Sequence, residues 1–577
     1  MLRGTRFGGR RSARVAVLGV VVVAAAAALP AAAGAAAGAP GTGKPPAGSG
    51  INTAAAMDNP HCDKTAGPYG RLDFVQKGTG PVCVTVWKEG KDNGGATYQG
   101  VTKDTIKVVA LVPNEQQMAG VTPTQLPMNY ATGKPGTVKD VFSDGLAGYE
   151  HAFGKTYTYG RDVDLEFVTS TGDDEASQRA DAIKVKELKP FTVLDAGTSD
   201  LAIFDTEMVR AKIPVFSLYV GVDATLEQAP YRWGQQDPVA GSMNAAEFIG
   251  KQLSGKKAQY AGDASMHDKT RVFGLVRTEI LDIDYFNEAA KKYGVKIAPG
   301  AEISYPGNTA AGGDPAVAQE NAPTAITKLK SAGVTSVIVM ADGQMVGQLT
   351  KQATAQDYHP EWIFPSVQNN DFPVLARAFY DQDQWAHAFG ISNVWPGSPT
   401  APTTVPNVVQ WYWGPGKGTY QITYTNALAW LFPGIMYAGP HLTPQTLKQG
   451  FFAVPAAGGS ASYDPSVANQ GARSGYGHTN GLPYVEYTRG NKDFTPTWWD
   501  PNTEGPPSLG FPGGKGALYY LDNAKRYYAG HWPTKSMKFF DKSNSIYQFD
   551  APATQPDVIP CAGCPSETGQ GTPGASS

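Results

Sequence analysis

Residues 191–221 read FTVLDAGTSDLAIFDTEMVRAKIPVFSLYVG. An apolar run stops at Gly197-Thr198-Ser199-Asp200. A segment with helical spacing, LAIFDTEMVRAK (201–212), begins at once, and a second apolar run, IPVFSLYVG (213–221), follows it. The order strand, small hydroxyl-rich turn, helix, strand is one unit of a doubly wound α/β sheet.

The same alternation extends in both directions. Upstream, TIKVVALVP (105–113) has the short β-branched composition of a buried parallel strand. TVKDVFSDGLAGYEHAFG (137–154) follows as a helix, DVDLEFVTS (162–170) as a strand, and STGDDEASQRADAIKVKEL (170–188) as an amphipathic helix entered through capping residues. Downstream, after YRWGQQDPVAGSMNAAEFIGKQL (231–253), RVFGLVR (271–277) opens a second series. LDIDYFNEAAKKYG (281–294) reads as a helix closed by Gly294, VKIAPGAEISY as a strand, and NAPTAITKLKSAG (321–333) as a helix. VTSVIVMAD (334–342), GQMVGQLTKQATAQD (343–357) and PEWIFPS (360–366) complete it as strand, helix, strand. YTNALAWLFPGIMYAG (424–439) and TPQTLKQGFF (443–452) are two further helices. Residues 470–550 are rich in aromatic and turn residues and read as irregular hairpins and loops.

The 577 residues suggest two to four domains, and a hydrophobic content of 41% is ample for large cores. The first segment stands apart from the fold. Arg3, Arg6, Arg10, Arg11 and Arg14 precede the apolar run Val15–Leu29 and a set of small residues, the pattern of a cleaved signal peptide. An uncleaved anchor is the other reading of that run. Arg10-Arg11 is a loose twin-arginine match, which leaves the export route open. Cleavage removes five arginines and no acid, taking the formal charge from −3 to −8, so nothing electrostatic favours nucleic acid as a partner.

The four cysteines, Cys62, Cys83, Cys561 and Cys564, lie near the two ends of the chain. Export and local pairing predict the disulfides Cys62–Cys83 and Cys561–Cys564. Cys561-Ala-Gly-Cys564 has redox spacing but lacks the strand before and helix after it, and zinc held by all four is a further reading.

In open parallel sheets ligands bind beyond the carboxyl ends of the strands. Gly197 permits a close turn, Thr198 and Ser199 supply hydroxyls, and the first N–H groups of the following helix lack intrahelical partners. Together they suit a carboxylate or another polar head. The local residues equally support a plain helix cap by Thr198 or Ser199.

The chemistry of enzymes is sparse. No His pair has zinc spacing and no G-x-S-x-G elbow occurs. GKQLSGKK (250–257) misses the P-loop pattern at Lys257 and follows a helix, and GPGKG (414–418) is an isolated glycine-rich run. Asp173 and Asp174 sit at a helix start, where the dipole explains them. The aromatic residues Tyr519, Tyr520, Tyr527, Tyr528 and Trp532 suit either a sugar platform or packing of the C-terminal region against the lobes.

Four segments, in their order and spacing, carry a family resemblance: GVTKDTIKVVALVP, VTSTGDDEASQRADAIKVKELKPFTVLDAGTSD, YRWGQQDPVAGSMNAAEFI and AITKLKSAGVTSVIVMADGQMVGQLTKQA. Over roughly residues 101–455 the chain resembles the type I periplasmic binding proteins, and within them the leucine/isoleucine/valine-binding substrate-binding proteins of ABC transporters. The resemblance implies two doubly wound parallel-sheet lobes joined by a hinge, with irregular N- and C-terminal extensions. The division expected is 1–38 signal peptide, 39–104 linker and disulfide-bearing extension, 105–245 lobe 1, 246–396 lobe 2, 397–455 return to lobe 1, and 456–577 an aromatic, turn-rich extension.

It further implies a non-enzymatic protein without cofactor or metal, a monomer that closes on a small polar ligand, amino-acid-like or an amide or carboxylate, and delivers it to a membrane permease. In the family the turn after the third strand holds the ligand carboxylate, which falls on Gly197, Thr198 and Ser199. The next turn points to Ser217 and Tyr219. The second lobe supplies a tyrosine and an acid for the ligand ammonium, and the matching loops hold Thr278, Glu279, Tyr285, Glu320 and Asp342. Relatives with a lipidated cysteine after the leader differ from this chain, whose first cysteine is Cys62, so a released extracytoplasmic protein is expected. A secreted wall-associated hydrolase or carbohydrate-binding protein, and a sensor using the same cleft, are the alternative readings.

Overall fold

A computed structural model gives the fold. It describes residues 50–550 apart from 66–68, 74–79, 119–126, 198–200, 218–229, 235–237, 308–312, 395–407, 414–421, 455–474, 478–486, 508–511 and positions 280, 282, 369 and 426. The leader, Thr198, Ser199, Tyr219, Cys561 and Cys564 therefore lie outside the described residues.

The first sheet is entirely parallel. Its strands are β1 (Thr105–Val112), β2 (Asp162–Thr169), β3 (Thr192–Asp195), β4 (Val215–Ser217) and β5 (Arg232–Gly234), in the spatial order β2-β1-β3-β4-β5. The crossovers are α1 (Val138–Phe153), α2 (Glu175–Leu188) and α3 (Ala202–Arg210). β3 is buried along its whole length, as the unbroken apolar run around Val193 and Leu194 requires of a central strand covered on both faces. Thr137 and Asp140 close the start of α1 with a capping box, and Asp174 caps α2.

The second sheet repeats this plan. β6 (Phe273–Thr278), β7 (Ile297–Tyr305), β8 (Ser336–Met340), β9 (Glu361–Phe364) and β10 (Ala388–Ser392) are parallel in the order β7-β6-β8-β9-β10. α4 (Pro238–Phe248) precedes β6, and α5 (Asp284–Tyr293), α6 (Pro315–Ser331) and α7 (Gly343–Ala355) connect its strands.

One expectation is corrected here. Residues 493–547 do pair as hairpins, but the hairpins belong to the second sheet and are not a separate extension. They add β11 (Asp493–Gly505), β12 (Gly514–Leu521) and β13 (Ser545–Tyr547) antiparallel to the far edge of the second sheet, beyond β10. The strand was hard to read because Asp493 to Asp500 are buried without alternation and carry Pro496. Tyr520, Tyr527, Tyr528 and Trp532 are buried in this extension, and Tyr519 stacks on Trp498 with ring centroids 4.9 Å apart. The aromatic residues are packing, as cross-strand aromatic pairs favour, and not an open sugar platform.

The chain passes between the two units after Gly234, after Val394 and before Asp493. Between the first two passages it builds the second unit. Between the last two it returns to the first core with α8 (Leu428–Ala438) and α9 (Pro444–Ala453). Phe432 of α8 stacks on Tyr149 of α1 at 5.3 Å. The passages are tied side by side. The Gly234 N–H donates to Tyr487 O (2.9 Å) and the Arg489 N–H to Gly234 O (3.0 Å). Asn491 Nδ2 and Arg526 Nη2 both donate to Asn393 O, at 2.8 and 2.9 Å.

The N-terminal extension lies on the first unit. Ile51, Val82, Cys83 and Val84 enter its core, and Cys62 and Cys83 form a disulfide. Arg161 fastens the assembly. Its buried guanidinium donates to the carbonyls of Thr102 (2.7 Å), Pro440 (2.8 Å), Asn93 (2.5 Å) and Gly95 (3.2 Å).

Candidate functional site

The strand orders locate the site. In each sheet the first strand lies between the second and the third, so the crossovers leave it in opposite directions and open a crevice at the carboxyl ends. In the first sheet this switch point lies between β1 and β3, in the second between β6 and β8.

The first crevice is edged by residues following β1 and by the end of β3. Asn114 Oδ1 accepts from the Gln117 N–H at 2.9 Å, and Gln117 Nε2 reaches Asp173 Oδ1, beyond β2, at 2.5 Å. Gly197 has φ +98°, a region that disfavours side chains, and a Cβ there would fall 3.0 Å from the Tyr424 ring. Its N–H donates to Asp195 Oδ1 at 3.0 Å. Helix α3 starts one residue after an N-cap, Leu201, that has no hydroxyl and makes no side-chain cap. Gln178 of α2 does that work, its Oε1 accepting from the N–H groups of both Ile203 and Phe204 at 3.1 Å. A neighbouring helix thus satisfies two of the first N–H groups of this helix.

Ser217, at the end of β4, is turned inward. Its Oγ donates to Asp205 Oδ2 at 3.0 Å, and the same carboxylate meets Arg232 Nη2 at 2.7 Å in a buried network.

The second crevice gathers Thr278, Glu279 and Asp342. Asp342 Oδ1 accepts from the Met345 N–H at 3.0 Å and so caps α7, while its Oδ2 accepts from the Tyr305 hydroxyl at 2.5 Å. Gly313 lies against it, so close that a Cβ would fall 1.8 Å from Oδ1. Beyond β9 and β10 a second buried carboxylate, Asp371, accepts from Ser366 Oγ (2.5 Å) and Ser392 Oγ (2.7 Å). Burial pushes both carboxyls above the usual carboxylate range. Tyr380 lies near both: its hydroxyl is 3.6 Å from the Cβ position of Gly343, and burial, then the charges of Asp342 and Asp371, push its pKa upward.

Among the described residues, Thr278 Oγ1, Asn370 Oδ1 and the Tyr380 hydroxyl are buried without a hydrogen-bond partner. An orphaned buried polar group costs about 1–3 kcal/mol.

Of the residues expected from sequence, Gly197, Thr278, Glu279 and Asp342 stand at the two switch points. Tyr285, in the first turn of α5, packs partly buried against the second core, and Glu320 is exposed in the second turn of α6. Asp195, Gln178, Asn370, Asp371 and Tyr380 were missed. Asp195 had a sequence signal, an acid ending a buried strand. Asp371 and Tyr380 had none, since only the packing of the β9–β10 connection that holds both brings them near Asp342, which follows β8.

Among the described residues no helix is long and apolar enough to cross a membrane, and no group of three His, Cys, Asp or Glu is placed to hold a metal.

No family model and no curated protein sequence matches the chain. Solved structures do resemble it. A solute-binding protein of an ABC transporter from Rhodopseudomonas palustris BisB5, in complex with 3,4-dihydroxybenzoic acid, is 13% identical over 78% of this chain and 99% of its own, with a TM-score of 0.43. A possible leucine/isoleucine/valine-binding protein from Rhodopirellula baltica SH 1 is 11% identical over 69% of this chain and 94% of its own, TM-score 0.44. The branched-chain amino acid substrate-binding protein LivJ from Streptococcus pneumoniae, bound to isoleucine, is 12% identical over 72% of this chain and all of its own, TM-score 0.40. These neighbours are type I solute-binding proteins, the class whose resemblance the sequence carries. At such scores the functional reading rests on the chain's own topology and side chains.

Proposed function

We propose that this chain is the extracytoplasmic solute-binding component of an ABC importer, closing two lobes on a small polar solute. The observation that carries this reading is the repeated strand order, which puts a switch-point crevice on each of two units joined by three adjacent passages. Each crevice holds part of a binding surface. The first offers the Gly197 turn, with Thr198 and Ser199 as its hydroxyl donors and acceptors, and the second offers Thr278, Asn370 and Tyr380 with unmet hydrogen bonds. A solute touching both stabilises the closed state in proportion to its contacts with the second lobe. Micromolar affinity requires about 8 kcal/mol, within reach of a few charge-assisted hydrogen bonds at about 1.5–3 kcal/mol each.

The test is a thermal-shift screen of small solutes followed by small-angle scattering. A hit is expected to reduce the radius of gyration, and Thr198→Val and Ser199→Ala are each expected to weaken its binding by about 1–3 kcal/mol. Hits that bind without compaction, and with unchanged affinity in both variants, would refute the reading.

A further inference from the structure

Three stretches of the second unit hold eight lysines and no acid: IGKQLSGKK (249–257), AAKKYGVK (289–296) and GHWPTKSMKFF (530–540). The fold brings them together. Gln252 Nε2 donates to Lys535 O at 3.1 Å, and its Oε1 accepts from the Met537 N–H at 3.0 Å. Lys256 Nζ reaches Ser536 Oγ at 3.1 Å. Gly250 packs on Tyr293 so closely that a Cβ would fall 2.5 Å from the Tyr293 Cβ. Lys251 and Lys292 both lie over the Tyr293 ring, 5.5 and 5.2 Å from its centroid. Lys256 O accepts from the Arg271 N–H at 2.9 Å, just before β6, and Phe273 of β6 pairs with Ile297, the neighbour of Lys296.

Two of these lysines are paired, Lys251 with Glu247 at 2.5 Å and Lys257 with Asp268 at 2.6 Å. Lys256, Lys291, Lys292, Lys296, Lys535 and Lys538 have no ion pair among the described residues, and all but the half-buried Lys256 are exposed. Glu247 is buried, and its carboxylate also accepts from the N–H groups of Gly530 and Trp532. Glu288 and Asp541 stand at the rim. Burial, and then the charge of Arg271, hold the Lys256 ammonium below the usual lysine range. The whole chain carries a formal charge of −3, so composition does not explain a basic face. Acids beyond a Debye length of about 8–10 Å are screened from it.

This face lies at the amino ends of β6 and β7, the edge opposite the crevice at Thr278 and Asp342. Lysines are hydrated point charges on flexible stems, without the fixed fork of arginine. The large hydrophobic side chains exposed among the described residues, Ile183 and Tyr412, lie elsewhere. A protein partner would need an apolar centre, and a lipid surface entered by the protein an apolar wedge. A bilayer at this face would also turn the crevice away from the membrane. An extended chain of phosphates needs neither apolar feature, since it binds by charge neutralisation and counterion release. We propose that this lysine face docks a linear anionic polymer of phosphodiester repeats, which holds the protein from behind while the crevice stays open to solute. The proposal goes beyond the solute-binding reading, which enters only in the argument from orientation.

The experiment is titration of the exported protein with a synthetic poly(glycerol phosphate), set against polyglutamate and vesicles of equal parts phosphatidylcholine and phosphatidylglycerol. One variant combines Lys291→Gln, Lys292→Gln, Lys535→Gln and Lys538→Gln, which removes exposed charges and leaves the bonds of Lys251 and Lys256 intact. A control combines Lys134→Gln, Lys139→Gln, Lys328→Gln and Lys351→Gln, exposed lysines outside the face. The phosphate polymer is expected to bind the parent with an affinity that falls as salt is raised. The logarithmic slope should be about −3 to −4, for about four to six neutralised phosphates. The face variant is expected to lose about tenfold or more in affinity and to flatten that slope by about 3, at an unchanged melting temperature, while the control binds like the parent. No binding by the parent, or an equal loss in both variants, would overturn the proposal. Polyglutamate bound as tightly would overturn the phosphate assignment, and vesicles bound more tightly would make a lipid surface the partner instead.

Discussion

Replacing Gly197 with alanine tests whether the turn after β3 is held by two separate constraints. The first is the backbone. At φ +98° a Cβ is strained against its own peptide, which costs about 1–2 kcal/mol. The second is packing. The new methyl would lie 3.0 and 3.1 Å from Cδ1 and Cε1 of Tyr424, tighter than ordinary contact, and Tyr424 is itself buried. A forced shift of a packed ring adds about 1 kcal/mol or more. The expected loss is therefore about 2–3 kcal/mol, confined to the first unit, because Tyr424 belongs to that unit's core. A double-mutant cycle separates the terms. Tyr424→Leu removes the ring edge but leaves the backbone unchanged, so Gly197→Ala in that background is expected to cost only the backbone share. The coupling of about 1 kcal/mol would be read from urea unfolding followed by fluorescence and by calorimetry, since a two-unit chain need not unfold in one step. Additive costs with no coupling would show that the ring does not confine the turn. A cost below 0.5 kcal/mol, near the noise of surface substitutions, would refute the strained backbone as well.

Two further outcomes follow from buried charges outside the crevices. Arg161→Met leaves four carbonyls without their shared donor and is expected to cost about 3–5 kcal/mol, the scale of breaking a buried charged network. Arg161→Lys should recover only part of this, because an ammonium cannot reproduce the planar fork, and limited proteolysis should then cut within residues 50–100 first. His387 gives a pH dependence. Its Nδ1 bonds Tyr260 O at 2.8 Å, and burial lowers its pKa from 6.5, with His359 and His267 adding to the shift while the Tyr260 bond and Glu361 oppose it. A folded-state pKa below the unfolded value gives stability that is complete above about 6.5 and is lost as pH falls through the folded pKa. Calorimetry from pH 7.5 to 5 should show that loss, and His387→Gln should flatten it; an unchanged slope would refute the assignment.

How much of this was legible in the sequence depended on whether the signal was local. The strand, turn and helix order around Gly197 could be read because parallel strands buried on both faces leave unbroken apolar runs, and because helices announce themselves by period and cap. That alternation determined the doubly wound class and placed Gly197 and Asp342 at loops where ligands bind. The local Cys62–Cys83 pairing was legible for the same reason. Tertiary structure decided what those residues do. The start of the helix after Gly197 is closed in part by Gln178, some twenty-five residues upstream in the chain, which no local pattern announces. Ser217, expected beside the cleft, donates its hydroxyl to Asp205, whose carboxylate also pairs with Arg232. Residues 493–521 looked irregular because a strand buried on both faces and interrupted by proline loses the alternation that reveals edge strands. The gathering of Asp342, Asp371, Asn370 and Tyr380 could not be read at all. Asp342 follows β8 and the other three lie in the connection from β9 to β10, and how that connection folds back over the sheet edge is set by packing that no local pattern announces.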